Sequence, residues 1–72
     1  MKMTKYSFKR GYNKIPQGKV KEVREKIITA LGISKPSFYS RLRGEVIPKI
    51  TEYNAIEAIF QDYGIEDIWG EK

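Results

Sequence analysis

Nine residues, Lys35 to Arg43, hold a lysine, two arginines, two serine hydroxyls and a phenol: Lys35, Ser37, Tyr39, Ser40, Arg41 and Arg43. Cations of this kind bind phosphate oxygens, and short hydroxyl or amine groups hydrogen-bond to the edges of bases. A second set, Lys5, Lys9, Arg10 and Lys14, alternates with the rings of Tyr6, Phe8 and Tyr12. Cations among aromatics suit a nucleic-acid backbone, with stacking as a possible accessory. Catalysis has much less to work with. The chain has no histidine and no cysteine. The commonest general base, the commonest transition-metal ligand and the thiol nucleophile are therefore missing, as is any disulfide. No residue pair at a suggestive spacing supplies a nucleophile and its base, and 72 residues leave little room for a pocket of ordinary size. No enzyme, cofactor or metal site is expected.

The charge is unevenly spread. Residues 1–49 hold 13 Lys and Arg against 3 Asp and Glu, a balance of +10, whereas residues 50–72 hold 1 against 6, a balance of −5; the whole chain carries +5. Such segregation predicts a basic end and an acidic end, and a polyanionic partner for the former. No stretch approaches the ~20 apolar residues of a membrane span. The positively charged start, MKMTKYSFKRGYNK, is not followed by the apolar core of a secretory signal. With no cysteine to oxidise, the expected location is the cytoplasm, with no membrane partner.

These residues need a scaffold. Val20, Val23, Ile27 and Leu31 recur at spacings of three, four and four, which predicts a helix over residues 19–31, with Ile28 and Ala30 broadening its apolar stripe. Gly32 follows, where a left-handed cap is usual. Ser34 is a good N-cap and Pro36 is tolerated in a first turn, so a second, short helix is expected over residues 35–43, anchored by Phe38 and Leu42 and stopped by Gly44. Thr51 is a fair N-cap for a third helix over residues 52–63, with Tyr53, Ile56, Ile59, Phe60 and Tyr63 as its stripe. Gly64 ends it, and Ile65, Ile68 and Trp69 fold onto the core in a short helical turn. Residues 1–17 show no helical period, and Gly11 and Pro16 interrupt them. They read as an extended basic arm whose aromatics can pack back. The expectation is an all-α fold: a compact three-helix domain over residues 18–72, preceded by the arm.

Helix, tight turn Gly32-Ile33-Ser34 and short second helix form a unit. The stretch IITALGISKPSFYSRLRGEVIP, followed by AIEAIFQDYGI, resembles a helix-turn-helix DNA-binding domain of the phage-repressor type. Leu31, Gly32, Ile33, Ser34 and Phe38 fall where that family has its helix end, turn glycine, turn hydrophobe, cap and recognition-helix anchor. Two positions depart from the family pattern. Ile28 stands where a small residue is usual, and Arg41 where a hydrophobe is usual, with Leu42 taking over as anchor. The resemblance covers roughly residues 19–69. The strings Arg-Leu-x-Gly and Tyr-Gly-Ile-x-x-Ile-Trp-Gly are also similar to small uncharacterised proteins of Bacteroides-type bacteria.

The resemblance implies a DNA-binding transcriptional regulator, repressor-like and bacterial, reading the major groove of double-stranded DNA with residues 35–43 and acting as a possible homodimer. Carried over residue by residue, Lys35, Ser37, Tyr39 and Ser40 meet base edges, while Arg41 and Arg43 hold phosphates. Lys5, Lys9, Arg10 and Lys14 track the backbone or enter a minor groove. Plainer readings stand beside these: Tyr39 leaning into the core, Arg41 paired with an acid such as Glu57, and Phe60 and Trp69 as core residues only. Two alternative functions stay open: a protein-interaction module of adaptor or antitoxin-like type that reads no DNA, and RNA binding through the aromatic arm.

Overall fold

A computed structural model describes residues 6–70 of the chain. In those residues, α1 (Lys9–Tyr12), α2 (Val20–Leu31), α3 (Lys35–Leu42) and α4 (Ile50–Gln61) follow in order, with a 3-10 turn at Gln17–Lys19 leading into α2. There is no strand among them, and the molecule is all-α and compact, as the apolar periodicity predicts.

The three expected helices form for the expected reasons. Val23 and Ile27 bury the stripe of α2 completely, while Val20, Ile28 and Leu31 pack at its margins. Gly32 adopts a left-handed conformation at φ 65°, and the N–H groups of Gly32 and Ile33 both donate to the Ile28 carbonyl, at 2.9 and 3.2 Å. Ser34 caps α3: its Oγ accepts the Ser37 N–H at 3.3 Å, and Pro36 sits in the first turn. Phe38 and Leu42 are buried, so α3 is held by one face. The start of α4 differs from expectation. Lys49, not Thr51, is the N-cap, and Thr51 lies exposed in the first turn. The Glu52 carboxylate folds back to accept the Lys49 N–H at 3.1 Å, satisfying a donor that the capping arrangement otherwise leaves free.

The two ends of the chain depart further from the sequence reading. Residues 1–5 of the expected arm lie outside the described residues. Residues 6–16 are not extended: they turn through α1 and insert Phe8, Gly11 and Ile15 into the interior. The C-terminal segment makes no helical turn after Gly64. Residues 65–69 run without regular structure, bury Ile65 and Ile68, and meet the N-terminal segment backbone to backbone. The Gly11 N–H donates to the Ile68 carbonyl and the Arg10 N–H to the Gly70 carbonyl, both at 2.9 Å, and the Gly70 N–H returns to Ser7 at 2.6 Å. The bonds from Arg10 and Gly11 satisfy first-turn N–H groups of α1 that no intrahelical acceptor reaches. Gly11 permits the approach, because a Cβ there would stand 2.9 Å from the Ile68 Cα.

Phe8 is the hub of the core. Its ring meets those of Phe38, Phe60 and Trp69 edge to face, with centroids 5.8, 6.0 and 6.0 Å away. Phe38 belongs to α3, Phe60 to α4 and Trp69 to the tail, so one side chain from the N-terminal segment joins three other parts of the fold. Ser7, the only buried polar residue among those described, donates its hydroxyl to the Leu42 carbonyl at 2.7 Å. The Phe8 N–H donates to the same carbonyl at 3.2 Å. Gly44, at φ 81°, lies so close that a Cβ would stand 2.9 Å from the Ser7 nitrogen.

Phe8→Ala is expected to cost about 3–5 kcal/mol, the usual range for removing a buried phenyl ring. In a domain this small that is most of the available stability, and a urea melt followed by circular dichroism will show a transition moved close to zero denaturant. Ser7→Ala leaves the Leu42 carbonyl with one donor and is expected to cost about 1–2 kcal/mol by the same measurement.

Candidate nucleic-acid interface

The outward side of α3 begins at Lys35. Its ammonium is exposed and makes no ion pair among the described residues, and no acidic residue occurs in the first turn of the helix. Pro36 beside it is exposed, and Ser37 and Ser40 are half-exposed. Phe38 and Leu42 face the opposite way, into the core. The Lys35–Ser40 edge is therefore presented to solvent by a helix whose other face is fixed, with the positive end of its backbone dipole at the lysine.

Arg43, one residue past the end of α3, is exposed and pairs with Glu45, Nε to Oε2 at 2.8 Å. Pairs this open to water exchange readily with other anions. Tyr39 and Arg41, expected as contacts, are engaged within the fold. The Tyr39 ring packs edge-on to Phe38 at 5.1 Å, and its hydroxyl accepts from Arg24 at 3.4 Å. Arg41 donates to Glu52 of α4 at 2.6 Å, with only 16% of each side chain exposed. Its partner is Glu52 rather than Glu57, whose carboxylate instead accepts the Trp69 indole N–H at 2.9 Å. Where the helix-turn-helix pattern places a hydrophobe, this chain ties α3 to α4 with an ion pair. The same Glu52 oxygen caps α4, so one carboxylate fixes the exit of α3 and the entry of α4.

The N-terminal cations divide. Lys5 lies outside the described residues. Lys9 is half-exposed and makes no ion pair among those described. Arg10 and Lys14 converge on Asp67, at 3.2 and 3.1 Å. These two cations, with Lys14 the stronger influence, hold the Asp67 carboxyl below its ordinary range. Phe8 is buried and Tyr12 packs on Phe38 at 5.7 Å, so these two rings serve the core rather than a base-stacking surface.

Sequence reasoning missed Arg24 and Glu52. Arg24 lies four residues after Val20 and four before Ile28, on the flank of the apolar stripe of α2, and that spacing is the signal that would have found it. It reaches the Tyr39 hydroxyl and stands within the influence of Tyr12, whose own hydroxyl is pushed up by burial and by Tyr39. Glu52 had a signal as well: its place three residues after Lys49 is that of a capping carboxylate.

Acidic side chains gather elsewhere. Glu22, Glu25 and Asp62, with Lys26 among them, line a wide groove of about 600 Å³ between α2 and α4 together with Thr29, Ala30 and Ile59, and α3 contributes no residue to it. Among the described residues no group of three acidic side chains is arranged to hold a metal ion, and no helix is long and apolar enough to cross a membrane. Comparison with protein-family models, with curated proteins and with solved structures finds no match to this chain.

Arg41→Ala is expected to lower stability by about 1–3 kcal/mol, since it strips a charged partner from a poorly hydrated Glu52. Lys35→Ala should leave the melting temperature within experimental error, and thermal melts of the two variants check the contrast. Asp67→Asn should lower the melting temperature at neutral pH. A carboxyl whose folded value is depressed stabilises the fold above its unfolded value and loses that contribution as pH falls through the folded one. The gap between variant and parent therefore closes in acid, and it narrows in high salt because the cluster is exposed.

Proposed function

We propose that this chain binds double-stranded DNA as a repressor-like transcriptional regulator, laying the Lys35–Ser40 edge of α3 into the major groove. The observation that carries the reading is the outward edge of α3: an exposed lysine with no ion pair among the described residues and two half-exposed serines, Ser37 and Ser40, on a helix anchored from behind by Phe38 and Leu42. The major groove admits one helix, and its base edges present acceptors to a lysine and mixed partners to serine hydroxyls. Lys35 donates to guanine O6 or N7, and Ser37 and Ser40 meet neighbouring base edges or phosphates. Arg43 exchanges Glu45 for a phosphate and fixes the register of the helix.

The net charge of +5 and the pI of about 9.6 favour encounter with a polyanion. Tyr39 and Arg41 act behind the reading edge, holding α3 at its angle to α2 and α4. Repressors of this size gain specificity from two half-sites about one helical turn, ~34 Å, apart, and a second copy is the simplest source of the second reading helix.

Fluorescence anisotropy on a labelled duplex, repeated across salt concentrations, tests the reading. Affinity should fall linearly in log–log form with a slope of about −0.9 per phosphate contact. Arg43→Ala should weaken binding to all sequences and shallow the slope by about one, whereas Lys35→Ala should cost about 1–3 kcal/mol only at sites enriched by unbiased selection. Absence of binding at low salt on any duplex, or variants indistinguishable from the parent, contradicts it.

A further inference from the structure

Arg10 and Lys14 hold separate oxygens of one carboxylate. Arg10 Nη1 lies 3.2 Å from Asp67 Oδ1, and Lys14 Nζ lies 3.1 Å from Asp67 Oδ2. The side chains of Arg10, Lys14 and Asp67 are 40%, 47% and 61% exposed, so the cluster belongs to the surface and not to the core. The tail covers Arg10 a second time, since a Cβ on Gly70 would stand 2.9 Å from the guanidinium carbon. Two surface cations from the start of the chain are thus masked by a segment from its end.

We propose that this cation pair is a phosphate site, filled in the free protein by the chain's own Asp67, and that DNA displaces that carboxylate in order to occupy it. The inference rests on the DNA-binding reading above and adds to it a contact outside α3 with a built-in competitor. Asp67 shows what the pair is able to hold. Two cationic donors that reach separate oxygens of one carboxylate are set to reach two oxygens of one phosphate, because both anions accept charge-assisted hydrogen bonds at neighbouring oxygens.

The pair also borders the helix that carries the reading edge. Arg10 stands between Phe8 and Tyr12, and both of these touch α3: the Phe8 N–H donates to the Leu42 carbonyl, and the Tyr12 ring packs 5.7 Å from that of Phe38. Arg10 and Lys14 are each two residues from Tyr12, at most about 7 Å along the chain. A duplex carries one phosphate charge per ~1.7 Å of its axis, so cations flanking the inserted helix meet a strand. Lys9, half-exposed and without an ion pair among the described residues, adds positive charge beside them.

The Asp67 side chain can leave while the tail stays. The tail backbone is fixed by the burial of Ile65 and Ile68 and by the bonds linking Gly11 to Ile68, Arg10 to Gly70 and Gly70 to Ser7. The carboxylate is held by two exposed ion pairs, and pairs of that kind contribute little and yield to a competing anion. Displacement therefore opens the site without undoing the packing behind α3. Covered by Asp67, the two cations present a net charge of one; uncovered, they present two.

Fluorescence anisotropy on the full chain, with a fixed-sequence duplex of about 20 base pairs as the probe, tests the proposal across salt concentrations. Asp67→Asn should bind about 3- to 10-fold tighter at low salt, a modest gain because exposed pairs are weak, and its log–log salt slope should steepen by about one. The same change lowers the melting temperature, so tighter binding cannot come from a sturdier fold. Glu66→Gln removes the neighbouring exposed carboxylate, which makes no ion pair among the described residues, and should alter affinity less than about 2-fold. Arg10→Gln with Lys14→Gln should weaken binding, and adding Asp67→Asn to that pair should restore none of it. Unchanged or weaker binding by Asp67→Asn overturns the proposal. So does an equal gain from Glu66→Gln, or a gain from Asp67→Asn that persists without the two cations. Failure of the parent chain to bind the duplex overturns the DNA-binding reading and this inference with it; a parent that binds, with Asp67→Asn no tighter, overturns the inference alone.

Discussion

The carbonyl of Leu42 closes α3 and receives two donors from the far end of the sequence: the Ser7 hydroxyl at 2.7 Å and the Phe8 N–H at 3.2 Å. A helix of eight residues is too short to hold itself together in water, where nucleation is costly and each end leaves unsatisfied backbone groups. α3 persists because both ends are satisfied, Ser34 at the start and Ser7 with Phe8 at the finish, and because Phe38 is locked against the Phe8 ring. The backbone of residues 7–11 is held in turn by the tail through Ile68 and Gly70. Residues 7–11 and 68–70 therefore form a clasp behind the outward helix, and the side chains α3 offers to solvent depend on that clasp.

Electrostatics in the fold differ from electrostatics along the sequence. The basic N-terminal two-thirds and the acidic C-terminal third suggest a molecule with two opposed ends, but the clasp brings them together. Asp67 takes Arg10 and Lys14, and Glu52 takes Arg41. The cations left without an acid among the described residues include Lys35, at the head of α3. Pairing thus compensates part of the basic charge within the fold, and Lys35 is among the cations it leaves. Exposed pairs such as Arg43–Glu45 contribute little to stability and leave their cation available.

Local signals carried the middle of the fold. The stripe of α2, the glycine turn, the Ser34 cap and the Phe38 and Leu42 anchors are all legible because each depends on residues within one or two turns of itself. The burial of Phe8 is not local: its partners Phe38, Phe60 and Trp69 are 30, 52 and 61 positions away, and nothing periodic in residues 6–16 announces them. The single turn of α1 is fixed by those contacts rather than by propensity, which is why an arm was the natural expectation. The candidate residues of α3 divided along the same line. Lys35, Ser37 and Ser40 face outward by helical geometry alone, whereas the inward commitments of Tyr39 and Arg41 required knowing that Arg24 and Glu52 lie across the interface.

The outward edge of α3 is the surface proposed to meet DNA. Amide chemical shifts recorded while a duplex is titrated into labelled protein test it directly. The largest changes are expected on Lys35, Ser37, Ser40 and Arg43, with little movement around Glu22, Glu25 and Asp62 in the α2–α4 groove. Changes centred on that groove, with α3 unmoved, would contradict it.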